Sequence, residues 1–270
     1  MKLLTLNTHS WMEEDMEAKF SALVERIMVE DYEVICLQEV NQSLTSQPVS
    51  QPLYYHPVEG NPVIHEDNYA LKLVTTLAAR GKRYNWSWAY NHVGYDRFHE
   101  GVAILAQASM EPLAILASST TSPEDYHTRR ALLVRTQLGN QAFSVVSLHL
   151  SWWEKGFQDE WPRVAQVLAS EERPLIVMGD FNNPTGNPGY QEVINSSLNL
   201  VDSHKVADEI SGEYTIVADI DGWEGNDMAL KVDHAFVDRT FQVKRSQVVF
   251  DGKSSPTVSD HFGLEVILES

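Results

Sequence analysis

Cysteine is almost missing from this chain: one residue, Cys36, in 270. A lone cysteine excludes internal disulfides and fits a reducing compartment. It lies in the apolar run EVICLQEV and reads as a small core residue, not a reactive thiol. Positive charge is scarce too. Twenty lysines and arginines face 38 acidic residues, a formal net charge of −18. Such an exterior repels phosphate backbones, so nucleic acid is a poor partner. Carboxylates clustered in a site would instead invite a divalent cation. Long hydrophobic runs are absent: no stretch reaches the roughly 18 apolar residues of a membrane span. The apolar part of MKLLTLNTHS is too short for a signal peptide and reads as a strand. Together these absences lead to the expectation of a cytoplasmic protein without membrane contact. No linker with a composition shift and no short-period repeat interrupts the chain, so residues 1–270 read as one α/β domain.

What is present is ample material for a core: 43% apolar residues, with seven Trp and nine Phe. Short apolar strands alternate with helical stretches. Strands are expected at Lys2–Thr8, Val34–Val40, Tyr84–Asn91, Gly101–Ala106, Ala131–Gln137, Phe143–Leu150, from Leu175, and at Val232–Val237, Val243–Phe250 and His261–Leu268. Helices are expected at Met16–Val29, near Asn68–Arg80, at Phe157–Ser170 and at Gly189–Ser196. A Ser-, Gln- and Pro-rich stretch, Asn41–Asn61, reads as loop.

The segment LIVMGDFNNP, Leu175–Pro184, is the most informative. An apolar strand stops at Gly179 and delivers Asp180 and Asn182 from its end, where ligands gather in α/β sheets. A carboxylate and an amide two residues apart can face one reacting centre, one orienting a water and the other bonding a phosphate oxygen. Other strand ends carry polar residues that a core does not want. Asn7 follows LLTL, Glu39 sits in CLQEV, His149 in VVSLHL, Asp260 and His261 in VSDHFGLEV, and Asp233 in KVDHAFV. Acidic residues are rarely buried unless paired or metal-bound. Two similar halves are visible in this pattern, Asn7 with Glu39 and His149 with Asp180.

By the phrases LTLN, LQEV, SLHL, GDFN, VDHAFV and SDHFGLEV, running from Leu4 to Val266, the chain resembles the endonuclease/exonuclease/phosphatase superfamily. The resemblance implies a DNase-I-like fold: a four-layer α/β sandwich, two mixed β-sheets packed face to face with helices outside. It implies Mg²⁺, or Mn²⁺, on Glu39 with support from Asn7 and Asp260, an oxygen-only set for a hard cation. It implies that His149 and His261 face the phosphate, His261 oriented by Asp233 and His149 by Glu100. Asp180 would then orient or deprotonate the attacking water, and Asn182 would donate to a phosphate oxygen. One departure stands out. DNA-repair members carry an acidic residue two positions after the first asparagine, where this chain has His9, and that leaves a second metal in doubt. His9 then either shapes the substrate pocket or lies in a surface loop. The phrases NTHSW, HVGYDRFHEGVAIL, SLHLSWW and VVFDGKSSPTVSDHFG look similar to a bacterial subgroup that includes the maltose 6'-phosphate phosphatase and a regulator-associated streptococcal protein.

Trp152, Trp153 and Trp223 are candidates for an aromatic wall on which a sugar stacks, with core packing as the alternative. Arg129 is a candidate phosphate-binding cation, or a plain strand start. The function expected is a metal-dependent phosphoesterase acting on a small phosphorylated metabolite, a sugar phosphate in particular. A phosphodiesterase, either nuclease or sphingomyelinase-like, is the alternative, and a catalytically dead binding module is the third reading. The nuclease sits badly with the acidic charge, and the dead module with a full set of polar site residues.

Overall fold

The computed structural model describes residues 1–217 and 219–269. Its strands form two large mixed sheets. The first runs β10 (Glu209–Ser211), β14 (Gln242–Val249), β15 (Gly263–Glu269), β1 (Lys2–Asn7), β2 (Val34–Ser43), β4 (Phe98–Ala106), β3 (Asn85–Gly94). The second runs β5 (Glu111–Leu116), β6 (Arg130–Leu138), β7 (Gln141–His149), β8 (Leu175–Asp180), β13 (Asp233–Asp238), β9 (Leu200–Asp202). A small ribbon pairs β11 (Ile216–Val217) with β12 (Ala229–Leu230).

Near the middle of each large sheet lies one parallel pair. β1 runs beside β2 with Asn7 opposite Gln38, and β7 beside β8 with His149 opposite Asp180. These four strands are mainly apolar because both faces of each are covered, with Thr5, Gln38, Ser144 and Ser147 among the buried polar exceptions. Between the sheets, side chains such as Leu3, Cys36 and Val266 of the first interleave with Val134, Ile176 and Met178 of the second. On the outer face of the first sheet sit α1 (Met16–Glu30) and α2 (Tyr69–Ala79), packed through Leu23, Ile27, Leu73 and Leu77. The second sheet is covered by α3 (Phe157–Leu168) and α4 (Pro188–Ile194) through Trp161, Val164, Leu168 and Tyr190. The result is helix, sheet, sheet, helix: the four layers that the resemblance implies. Among the described residues no helix is long and apolar enough to cross a membrane.

Polar bonds sew the two sheets together inside this apolar seam. Gln38 Nε2 donates to Ser147 Oγ at 3.0 Å, and Asn7 Nδ2 donates to Asp180 Oδ2 at 3.1 Å. Both are buried, so each partner would be left unsatisfied if the sheets slid apart.

Where the structure departs from the expected elements, the reasons are local. β2 continues through Ser43, so the first three residues of the expected Asn41 loop are strand. His261 precedes β15 and does not start it. The unforeseen β5 is an edge strand with Pro112 in it, where a missing N–H costs no ladder bond. The short strands β9 to β12 and the one-turn α5 (Ser203–Val206) lie in a polar stretch with no alternation to announce them.

Candidate active site

The carboxyl ends of the two parallel pairs bring the site residues together, two from each sheet. Glu39 reaches this edge through an irregularity. The β2–β4 pairing shifts register between Leu37 and Val40, and Glu39 takes a left-handed backbone, φ 51°. A regular strand would alternate straight through it; the bulge turns its carboxylate towards the strand-end residues. On β8 the device is Gly179, at φ 146°. A Cβ there would stand 2.0 Å from the Leu148 carbonyl oxygen, so only glycine lets β8 lie this close to β7. Asn182, at φ 50°, is held in the same uncommon region.

Asp180 is the hub. It is 1% exposed, and its Oδ1 accepts the Asn182 backbone N–H at 2.8 Å. Its Oδ2 takes the Asn7 amide and lies 3.6 Å from His149 Nε2 and 3.8 Å from His261 Nε2. Burial and the nearby Asp233 carboxylate push its pKa up to about 7. On the far side of His261, Nδ1–H donates to Asp233 Oδ2 at 2.9 Å, the pair expected from the resemblance. Burial alone would lower the His261 pKa; the charges of Asp233 and Asp180 outweigh it and hold the ring well above its ordinary value. His261 is the imidazolium beside Asp180.

His149 is different, and here the expected partner is wrong. Glu100 does not orient it. Glu100 lies across from His92 in the β3–β4 ladder, with Oε1 3.4 Å from His92 Nε2. His149 Nδ1 instead faces Arg129 Nη1 at 3.4 Å. Arginine can only donate, so Nδ1 accepts and the proton sits on Nε2, towards Asp180. Burial and the Arg129 charge drive the His149 pKa well below its usual value, so this ring is neutral. Arg129 is 4% exposed, and its Nε is buried with no partner, a free donor beside His149. Glu100 is pushed up to about 8 by burial and by the charge on Glu39, and His92 down to about 4 by burial and Arg129. His92 Nδ1–H donates to the Thr128 carbonyl, which leaves Nε2 to accept from a protonated Glu100.

The expected metal residues also sit together, with a change of roles. Asn7 turns its Nδ2 to Glu39 Oε1 (2.9 Å) and Asp180, while its Oδ1 accepts the His9 N–H at 3.2 Å. Asn7 thus orients two carboxylates rather than offering a free oxygen. Glu39 Oε2 is buried and has no partner. Burial and the neighbouring Asp260 charge raise the Glu39 pKa to about 7. An orphaned carboxylate oxygen repelled by a second carboxylate is the donor chemistry that Mg²⁺ or Mn²⁺ satisfies, so these residues fit such an ion. His9 is neither a pocket wall nor a free loop residue. Its Nδ1 donates to Glu13 Oε1 at 2.8 Å and lies 3.7 Å from Asp260; its Nε2 lies 3.8 Å from Asp221. Burial opposes its charge, but Glu13, Glu39 and Asp260 raise it to about 9. A cation therefore stands where some relatives have an acid. Glu13, which the sequence reading passed over, also accepts the Asp260 backbone N–H at 2.9 Å.

These groups open into a cavity of about 320 Å³. Its buried floor holds Arg129, His149, Asp180, Asn182, His261 and Glu100. Its outer wall holds Tyr95, Tyr126, Trp152, Lys155, Asp221 and Glu224, of which only Trp152 stood out in the sequence. Trp153 is elsewhere, against Phe157 in the helix-side core. Trp223 is not in the wall either. Its indole N–H donates to Asn182 Oδ1 at 3.0 Å, and its ring stands edge-on to Trp152 with centroids 6.3 Å apart.

A family model described as endonuclease/exonuclease/phosphatase matches residues 11–261. The chain belongs to the endonuclease/exonuclease/phosphatase family. No curated protein matches it. Among solved structures, a family member from Leptotrichia buccalis is similar over all of both chains, with 28% identity and a TM-score of 0.86. A mannosyl-6-phosphatase from Bacteroides thetaiotaomicron shares 16% identity over both full chains, TM-score 0.65. TDP2 from D. rerio, solved with a single-stranded DNA product, shares 14% identity over 100% of this chain and 99% of that one, TM-score 0.68. At such identities the last two show the DNase-I-like fold alone. Members of the family are hydrolases of phosphoester bonds, and this chain has the family's phosphoesterase fold.

Proposed function

We propose that this family member is a divalent-metal-dependent phosphatase of a small phosphorylated metabolite, a sugar phosphate in particular. The observation that carries the reading is the floor of the cavity. One buried carboxylate, Asp180, meets an imidazolium, a neutral imidazole and two amides, with a buried guanidinium alongside. A phosphomonoester dianion matches that set: Arg129 and His261 supply cations, and N–H donors remain at the unpartnered Arg129 Nε and at the second Nδ2 hydrogen of Asn182, the first being given to the Leu150 carbonyl. Asp180, with a pKa near 7, is suited to take the proton of the attacking water. Asn7 keeps the Asp180 and Glu39 carboxylates apart and oriented. Mg²⁺ or Mn²⁺ held by Glu39 and Asp260 would polarise the phosphoryl oxygen and help absorb negative charge. His261, its charge fixed by Asp233, stabilises the charge that grows at phosphorus.

The fold also serves phosphodiesterases, but the net charge of −18 and the acidic Asp221 and Glu224 at the cavity disfavour a polyanion. The lone, buried Cys36 is consistent with a cytoplasmic location. The test is hydrolysis of a sugar-phosphate panel, p-nitrophenyl phosphate, plasmid DNA and sphingomyelin, each with Mg²⁺ and with EDTA. The expected outcome is phosphate release from sugar phosphates that chelation abolishes. Plasmid nicking at physiological salt with no sugar phosphate consumed would overturn the reading.

A further inference from the structure

Three consecutive residues between β11 and β12 are fastened to three different neighbours of the cavity. Asp221 Oδ2 accepts a hydrogen bond from the Tyr95 hydroxyl, in the turn that joins β3 to β4. Gly222 lies against Trp152, so closely that a Cβ would come within 2.8 Å of indole Cζ2. Trp223 donates to Asn182, whose Nδ2 gives one of its hydrogens to the Leu150 carbonyl at 3.0 Å. Tyr95 and Asp96 are the central residues of the hairpin turn, closed by the Arg97 N–H on the Gly94 carbonyl at 3.1 Å, and they take the left-handed backbone, φ 52° and 55°, that such turns use. The Tyr95–Asp221 contact joins segments 126 residues apart, and both residues line the cavity.

We propose that the Tyr95–Asp221 bridge is a specificity device: it closes one side of the site into a blind pocket and confines the enzyme to terminal phosphomonoesters of compact, uncharged, hydroxyl-bearing alcohols. The inference rests on the phosphatase reading. A phosphate on the floor beside His149 and His261 sends its ester substituents out in different directions. A monoester has one substituent, and it leaves beside Tyr126 and Lys155, which line the cavity and are exposed as the bridge residues themselves are. A diester has a second, and the bridge stands in its path. Glu224 and the bridge's own carboxylate repel further phosphates but accept hydrogen bonds from hydroxyl groups. Trp152 adds an apolar face beside them.

The experiment compares kcat/KM for p-nitrophenyl phosphate, a monoester, and bis(p-nitrophenyl) phosphate, a diester, at one Mg²⁺ concentration. Wild type is set against Tyr95→Phe, Asp221→Ala and Asp221→Asn, with circular dichroism to establish that each is folded. Wild type is expected to favour the monoester strongly. Tyr95→Phe and Asp221→Ala should each narrow that preference by about tenfold, through the diester's KM. Asp221→Asn keeps an acceptor for the Tyr95 hydroxyl and should retain most of the preference. A folded Asp221→Ala protein with the wild-type ratio overturns the inference and leaves the phosphatase reading standing. A wild type that prefers the diester, or cleaves neither ester, overturns both.

Discussion

His149 and His261 flank the same carboxylate, yet one is neutral and the other charged, and the difference lies in what touches each Nδ1. A guanidinium faces the first and a carboxylate the second. Activity that needs the His261 imidazolium is present at low pH and fades as pH rises through its raised pKa. Asp233→Asn removes the charge that holds the proton, so the alkaline limb of the kcat profile should move to lower pH. An unmoved limb would mean that His261 does not act as a cation. His261→Ala should cost about 10² or more in turnover, with KM little changed, because the charge is needed chiefly in the transition state. Several residues of this centre that could be read in the sequence share one mark: a polar side chain closing an apolar strand, as at Asn7, His149 and Asp180. Glu13 and His92 carry no such mark. His92 sits inside β3, and what gives it meaning is standing opposite Glu100, a matter of antiparallel register that residue order does not reveal.

At the scale of elements, strands β7 and β8 show how much a single backbone atom decides. Gly179 sits where any side chain would run into the Leu148 carbonyl. Gly179→Ala should destabilise the fold by about 3 kcal/mol or more. It should also depress turnover beyond what the melting temperature predicts, since Asp180 is the next residue. An Ala variant with wild-type melting and activity would show that β8 can step away from β7 at no cost. The apolar runs of β1, β2, β7 and β8 were legible because strands buried on both faces carry few polar positions. The bulge at Glu39 was not, since two residues facing one is a property of pairing. The same holds for the Tyr95–Asp221 contact, between turns more than a hundred residues apart.

At the scale of the molecule, the site gathers more negative charge than the fold can comfortably keep. Glu39 and Asp180 hold their protons up to about 7 and Glu100 up to about 8, while in the unfolded chain they ionise near 4.5, 3.8 and 4.5. The stability these protons represent is complete below those unfolded values and is lost as pH rises through 7 to 8. The raised His261 works in the same direction. His92, His149 and His234, all lowered by burial, act oppositely, but only as pH falls below 6.5. In EDTA the melting temperature should therefore decline between about pH 6.5 and 8. Mg²⁺ should recover more of it at pH 8 than at pH 6.5, because it binds the ionised carboxylates. Equal recovery at both values would argue against Glu39 and Asp260 as its seat. Both measurements use the intact chain and a melting curve.

Each half of the reaction centre is carried by a different sheet. Asn7 and Glu39 travel with the first, His149 and Asp180 with the second, and Gln38–Ser147 is the pin between them. The centre is in effect a rangefinder with two arms, in focus only while the arms hold their spacing. A shift of half an ångström in how the sheets seat would leave every strand intact and still blur the focus. Side chains in the apolar seam, Cys36 and Met178 among them, thus set the alignment of chemistry they never touch. Drift in that seam, accumulated one methyl group at a time, gives the lineage a way to retune or silence the enzyme with its active-site residues unchanged.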